Sequence, residues 1–233
     1  MSRKAWLGPA GALTPLDGFR GGSTRITAPH AATGPTIRAL LASGSPASQQ
    51  TYEITLPTFE AGDTVLVHFR IGSSDSPTLS LPAGWTVKGS RDNSGTSRVI
   101  TREMLAADPA TITVSQTDGD RGCAWTAYSL PTALDVSAAV GGSEQTLSPG
   151  WAQTLWIAGV SARFADGSFG QPAGYGDFLT DWGGNVENSG FSARAASAHR
   201  ITTASSETPG AWTIDPVGGM NSFHHYTIGV RLA

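Results

Sequence analysis

What most constrains this chain is that its second half reads like its first. Thr64-Val65-Leu66-Val67 lines up with Thr154-Leu155-Trp156-Ile157, and Leu81-Pro82-Ala83-Gly84-Trp85 with Gln171-Pro172-Ala173-Gly174-Tyr175, both at an offset of 90 residues and without a gap. Three further segments follow in the same order with small slips. Arg98 to Met104 faces Ala193 to His199, Pro109 to Val114 faces Pro209 to Ile214, and Ala124 to Tyr128 faces His225 to Gly229. Self-similarity at one long period marks two copies of one structural unit, since loops change length more readily than the elements they join.

The unit reads as β-structure. Val65, Val67, Phe69 and Ile71 alternate with Leu66, His68 and Arg70, the period of a strand with one face on a core. Ile112 with Val114, and Tyr226, Ile228, Val230 and Leu232, repeat the pattern, and Tyr52, Ile54 and Leu56 mark an earlier strand ended by Pro57. Between them stand turn clusters such as Asp92-Asn93-Ser94-Gly95 and Asp118-Gly119-Asp120, whose residues tolerate positive φ or cap their own backbone. Only Arg38 to Ala42 and Met104 to Ala107 tolerate a helical reading. The expectation is an all-β chain of two tandem antiparallel β-sandwich repeats, jelly-roll or Ig-like, over residues 36–131 and 132–233. One larger sandwich fed by both copies remains the alternative.

Residues 1–35 have no sustained alternation and are broken by Gly-Pro, Thr-Pro and Ala-Pro. They read as an extended arm. Trp6, Leu7, Leu13 and Leu16 find no regular element within it to cover them, which marks them as anchors for docking on another subunit. The opening is too interrupted for the apolar run of a signal peptide, and no stretch is long and apolar enough for a membrane helix, so cytoplasmic synthesis without membrane insertion is expected.

Charge argues against a nucleic-acid partner. The net charge is −3, charged residues make up 14% of the chain, and Lys4 and Lys88 are the lysines, so no basic stripe forms. The single cysteine, Cys123, has no internal partner and reads as a small apolar strand residue.

No local motif announces catalysis: there is no G-x-S-x-G elbow, no H-E-x-x-H, no P-loop and no Rossmann fingerprint. His224 and His225 are strand neighbours that face opposite sides, His224 toward the core and His225 outward, so they do not share one ion. Asp118-Gly119-Asp120 lacks the remaining ligands of a calcium loop. No catalytic residue, metal ligand or cofactor is therefore assigned. Trp85 with Tyr175, Trp125 with Tyr226, and Ile112 with Trp212 match between the copies and are assigned to packing. Trp151, Trp156 and Trp182 have no aromatic counterpart, so Trp156 and Trp182 are the candidates for glycan contact, Trp182 beside Asp177, Asp181 and Glu187.

The run Leu81-Pro82-Ala83-Gly84-Trp85-Thr86, then Arg98 to Ala106 and Thr111-Ile112-Thr113-Val114, resembles a group of tailed-bacteriophage virion proteins with a Pro-x-Gly-Trp turn and a duplicated β-sandwich rich in Ala, Thr and Gly. The resemblance covers residues 36 to 233, with Tyr175 in place of the second Trp. Trp6 to Leu13 resembles the docking arms of tail-tip and capsid-decoration subunits. The resemblance implies a non-enzymatic structural role in the virion, assembly in the host bacterial cytoplasm, self-association into a homo-oligomer, contact with other virion proteins through the arm, and attachment to a host-surface glycan. A carbohydrate-binding module with an exposed aromatic platform is the alternative.

Overall fold

The structure, a computed structural model, describes residues 36–45, 48–73, 76–117, 119–131, 133–163, 168–183, 192–215 and 221–232. The arm and its anchors Trp6, Leu7, Leu13 and Leu16 lie outside the described residues. Among those described there is no helix.

The first half contains β1 (Ala39–Gly44), β2 (Thr51–Thr55), β3 (Thr64–Ile71), β4 (Leu79–Ser80), β5 (Thr86–Asp92), β6 (Thr96–Glu103), β7 (Thr111–Gln116) and β8 (Cys123–Leu130). The second contains β9 (Ala133–Gly141), β10 (Thr154–Arg163), β11 (Ser168–Gly170), β12 (Gly176–Gly183), β13 (Ala193–Thr202), β14 (Thr213–Asp215) and β15 (Asn221–Leu232). Residues 39 to 42, which tolerate a helical reading in sequence, are strand, and Leu105 to Ala107 belong to the turn after β6. Pairing with β8 over the whole of β1 overrides the local propensity.

Each half supplies one five-stranded antiparallel sheet, in the orders β1-β8-β3-β6-β5 and β9-β15-β10-β13-β12. With β9 read for β1, β10 for β3, β12 for β5, β13 for β6 and β15 for β8, the two orders are identical. Each half also has a small sheet, β2-β7-β4 in the first and β11-β14 in the second. Where the first half has β2, the second has only the bridge between Leu147 and Glu207.

Three apolar interiors stack these sheets in four layers. Tyr52, Ile54, Ile112 and Val114 of the first small sheet pack on Val65, Val67, Phe69, Ile71 and Ile100 of the first large sheet. Leu66, Val99, Tyr128 and Leu130, from the other face of that sheet, pack on Leu155, Ile157, Tyr226, Ile228 and Val230 of the second large sheet. Trp156, Ala158, Val160, Ala196 and Ala198 then turn away toward Phe169 and Trp212 of the second small sheet and its flank.

Both large sheets are thus covered on both faces. All eight residues of β8 are buried, as is every residue of β3 after Thr64. The alternation in β3 separates two interiors rather than core from solvent, which corrects the half-buried reading.

Double burial also corrects the alignment of the two halves. Val65 pairs with Ser129 and Arg102, and the residue with matching neighbours in the second half is Trp156, paired with Gly229 and Arg200. The gapless alignment puts Leu155 there, one residue early. A slip of one residue moves every side chain to the other face. Accordingly Trp125 lies in the first outer interior and Tyr226 in the central one, so they are not equivalent packing positions. The turn itself is correctly aligned: Gly84 and Gly174 have φ of 83° and 79°, and Trp85 and Tyr175 each fall back on their half's outer interior.

Candidate functional site

A group of buried polar side chains lies in the central interior, at the end of the seam where β3, β6, β10 and β15 meet. There β3 presents His68 and Arg70 to the second half, exposed by 1% and 0%. Such side chains on a strand face imply a facing surface able to receive them, because an exposed sheet face would have left them in water. β15 supplies that surface with Ser222, His224 and Tyr226.

The geometry ties the halves together. Arg70 donates from Nη2 to the Ser94 carbonyl at 2.7 Å and to Ser222 Oγ at 3.2 Å. Ser222 Oγ donates in turn to the carbonyls of Asn93 and Ser94 at 3.3 and 3.1 Å. His224 Nε2 lies 2.8 Å from the Asn93 carbonyl and its Nδ1 2.6 Å from Ser97 Oγ. A carbonyl only accepts, so Nε2 carries the proton and Nδ1 accepts from the serine hydroxyl. Tyr128 and Ser197 hydroxyls meet at 2.8 Å further along the seam. The β5–β6 turn, with Ser94 at φ 49° and Gly95 at φ 105°, is therefore clamped onto β15.

Burial sets the protonation states. It pushes the His68 imidazole well below its ordinary value, with Arg70 and His224 adding repulsion. Burial, then the charge of Arg70, lowers His224 to about 3. Both rings are neutral at neutral pH. Arg70 is lowered by burial to about 10 and keeps its charge. Beside it the Tyr226 ring lies over Gly159, where any Cβ would collide with it, and stacks on His68 with centroids 3.8 Å apart.

A serine bonded to a histidine invites comparison with a nucleophile and its base. Here Ser97 and His224 are each 1% exposed, the histidine is a weak base, and its second nitrogen meets a carbonyl rather than a carboxylate. The pair is built to join sheets.

A second feature is at the surface: a trough of about 420 Å³ beside β4 and β5, with Pro77, Leu79, Leu81 and Val87 along it and an ion pair on its wall. Arg98 grips Asp92 there through two bonds of 2.6 and 3.0 Å. Its open shape and its single satisfied ion pair make it an amphipathic contact surface.

Trp156 is fully buried with its ring in the second outer interior, and so it offers no platform to a sugar. Trp182 lies on β12 opposite Arg194 in the backbone register. Trp151 is half-buried and has the Arg231 guanidinium 5.8 Å above its ring. Asp177 is 3.2 Å from His199. His225, expected to point outward, is 7% exposed and lies beside Phe223, because this face of β15 is covered as well. Cys123 is fully buried, which pushes its thiol far above the ordinary range and leaves it inert. Among the described residues no three His, Cys, Asp or Glu side chains converge as metal ligands, and no helix is long and apolar enough to cross a membrane.

No protein-family model, curated protein or solved structure matches the chain.

Proposed function

We propose that the protein is a non-enzymatic structural component of a tailed-phage virion, at the tail tip, in a fibre or as capsid decoration. In this reading residues 36–131 and 132–233 are tandem β-sandwich repeats joined back to back, and residues 1–35 dock the block on other virion proteins. The observation that carries it is the central seam: the chemically most capable side chains, Arg70, His68, His224 and Ser97, are spent on locking one half to the other. A block held that way is a rigid spacer with loops and an amphipathic trough on its outside, which suits repeated incorporation into a particle. The reading includes self-association, assembly in the host bacterial cytoplasm and residence in the virion, with loops turned to a host-surface glycan.

Carbohydrate binding as the main role keeps one of its two aromatic candidates, Trp182, since Trp156 is enclosed. The test is incorporation. Particles purified from a lysing host that expresses tagged full-length chain are expected to carry the tag through a density gradient, and chain lacking residues 1–35 is expected to stay in the soluble fraction. Equal incorporation of both, or of neither, would remove the docking role of the arm.

A further inference from the structure

The central seam holds a positive charge that no carboxylate among the described residues pairs with. Arg70 is 0% exposed, and its Nε and Nη1 have no hydrogen-bond partner. Its Nη2 is satisfied by a carbonyl and a hydroxyl, both neutral. Among the described residues no carboxylate acts on it; the surrounding influences are Tyr226, Arg163 and Arg91. Asp92, which does act on His224, is held by Arg98 and by Thr96 at 3.0 Å. An uncompensated ion in a protein interior is strongly unfavourable even after relaxation.

The neighbouring side chains have the same deficiency. His68 is fully buried and its Nε2 has no partner, while Nδ1 is 3.4 Å from the Thr126 hydroxyl. A hydroxyl can donate or accept there, so the contact fits either tautomer of the ring. The Tyr226 hydroxyl is buried and meets no partner at full hydrogen-bond geometry, with Ser161 the hydrogen-bonding neighbour that acts on it. Arg70 acts on both His68 and Tyr226, whose rings stack on each other. Guanidinium N–H groups only donate, so Arg70 Nε and Nη1 are buried donors that want an acceptor, and the Tyr226 O–H beside them can donate to the same one.

We propose that the end of the seam around Arg70, His68 and Tyr226 is a binding site for a small monovalent anion, held between the two large sheets. Water would satisfy single N–H groups but leave the charge of Arg70 uncancelled; an anion does both. The anion is part of the fold, locked in when the halves close, because Arg70 is sealed. The site is independent of the virion assignment.

Bromide is the probe. Crystals of the full chain refolded and grown in sodium bromide are expected to show an anomalous peak in contact with the Arg70 guanidinium. In solution, replacing sodium gluconate by sodium bromide at fixed ionic strength is expected to raise the unfolding midpoint of the natural protein progressively, as for any ligand bound only by the folded state. Arg70→Met removes the charge at similar length and is expected to abolish that dependence. Tyr226→Phe removes one donor and is expected to weaken bromide binding by about tenfold, and it decides the matter if Arg70→Met does not fold. Bromide only at surface positions, an adventitious ion only, would overturn the proposal. So would a midpoint in the natural protein that ignores bromide, or the same response with and without Arg70.

Discussion

The two outer interiors flank equivalent sheets yet are filled in different ways. In the first half Val65, Val67, Phe69, Ile71 and Ile100 of the large sheet meet Tyr52, Ile54, Ile112 and Val114 from a three-stranded small sheet. In the second half the large sheet offers Ala158, Ala162, Ala196 and Ala198, and the space is taken by Trp156, Phe169, Tyr175 and Trp212 above a two-stranded sheet. The missing strand explains the exchange. Fewer backbones on the lid leave more depth to cover, rings reach across it, and the facing strands thin to alanine so that total volume still closes to native density. One strand order therefore supports an interior in which rings are mixed with branched aliphatic chains and one in which rings stand over alanine.

The sharpest way to break this contrast is to remove one side chain from each. Trp156→Ala is expected to cost about 4 to 5 kcal/mol, because alanine neighbours cannot collapse into the cavity. Val67→Ala in the first half should cost about 2 kcal/mol, from two methyl groups lost among adjustable aliphatic chains. Denaturant unfolding measures both. Equal losses would mean that the second interior depends no more on its rings than the first does on its aliphatic chains.

A second asymmetry concerns charge at the start of the central strands. Asp63, 3% exposed, accepts from Arg38 Nε at 2.5 Å, Ser129 Oγ at 2.9 Å and the Glu60 amide at 2.9 Å. Burial alone would raise this carboxyl; the bonds from Arg38, Glu60 and Ser129 outweigh it, and the net shift is downward from 3.8. At the matching place of the second half stands Thr154, bonded to the Trp151 carbonyl at 3.3 Å. A lowered carboxyl stabilises the fold above its unfolded value, and that contribution is lost as pH falls through 3.8 toward the folded value. Asp63→Asn is expected to cost about 2 kcal/mol at pH 7 and progressively less than that below pH 4. Hydrogen exchange should find the acid effect at β1 and not at β9; the same response in both would show that Asp63 is not its source.

The turns after β4 and β11 test likeness instead. Arg102 donates to the Ala83 carbonyl at 3.2 Å and to Asp108 at 2.7 Å. Arg200 donates to both oxygens of Glu207 at 2.6 Å and lies 4.7 Å from the Tyr175 ring. The carboxylates differ in cover, 10% exposed for Asp108 and 4% for Glu207. Both Arg→Met changes are expected to destabilise, by about 1 kcal/mol at Arg102 and about 2 kcal/mol at Arg200, where the acid left behind is more deeply enclosed. A larger loss at Arg102 would reverse the ranking that burial gives.

These pairs also show what a reader of the sequence could and could not see. Pro-Ala-Gly followed by a ring is legible because the turn needs a left-handed glycine and a large side chain to fold back. The strand before it was misplaced by one residue for a physical reason. A strand covered on both faces has no polar edge to its pattern, so Leu155, Trp156 and Ile157 give no sign of which face is which. That ambiguity leaves Trp156 legible as a glycan contact although it fills an interior, and His225 as a solvent-facing residue although it is 7% exposed. His68 and Arg70 were visible as the other side of β3, but no local signal announced that Ser222, His224 and Tyr226, more than 150 residues away, would be packed against them.

The smallest expected difference between the halves is the strictest test of likeness. Gly84 and Gly174 hold φ of 83° and 79°, and a Cβ on either would sit 3.4 or 3.3 Å from the guanidinium of Arg102 or Arg200. The far end of an arginine can give by a few tenths of an ångström, so the penalty of alanine comes from the backbone. A left-handed residue with a Cβ costs about 1 to 2 kcal/mol, and neither the neighbouring core nor the clamp enters that figure. Gly84→Ala and Gly174→Ala are therefore expected to destabilise by the same amount, whatever the two interiors beside them contain. Unequal losses in denaturant unfolding would mean that one turn is held by its surroundings rather than by its own backbone, and the likeness of the halves would then stop at the order of their strands.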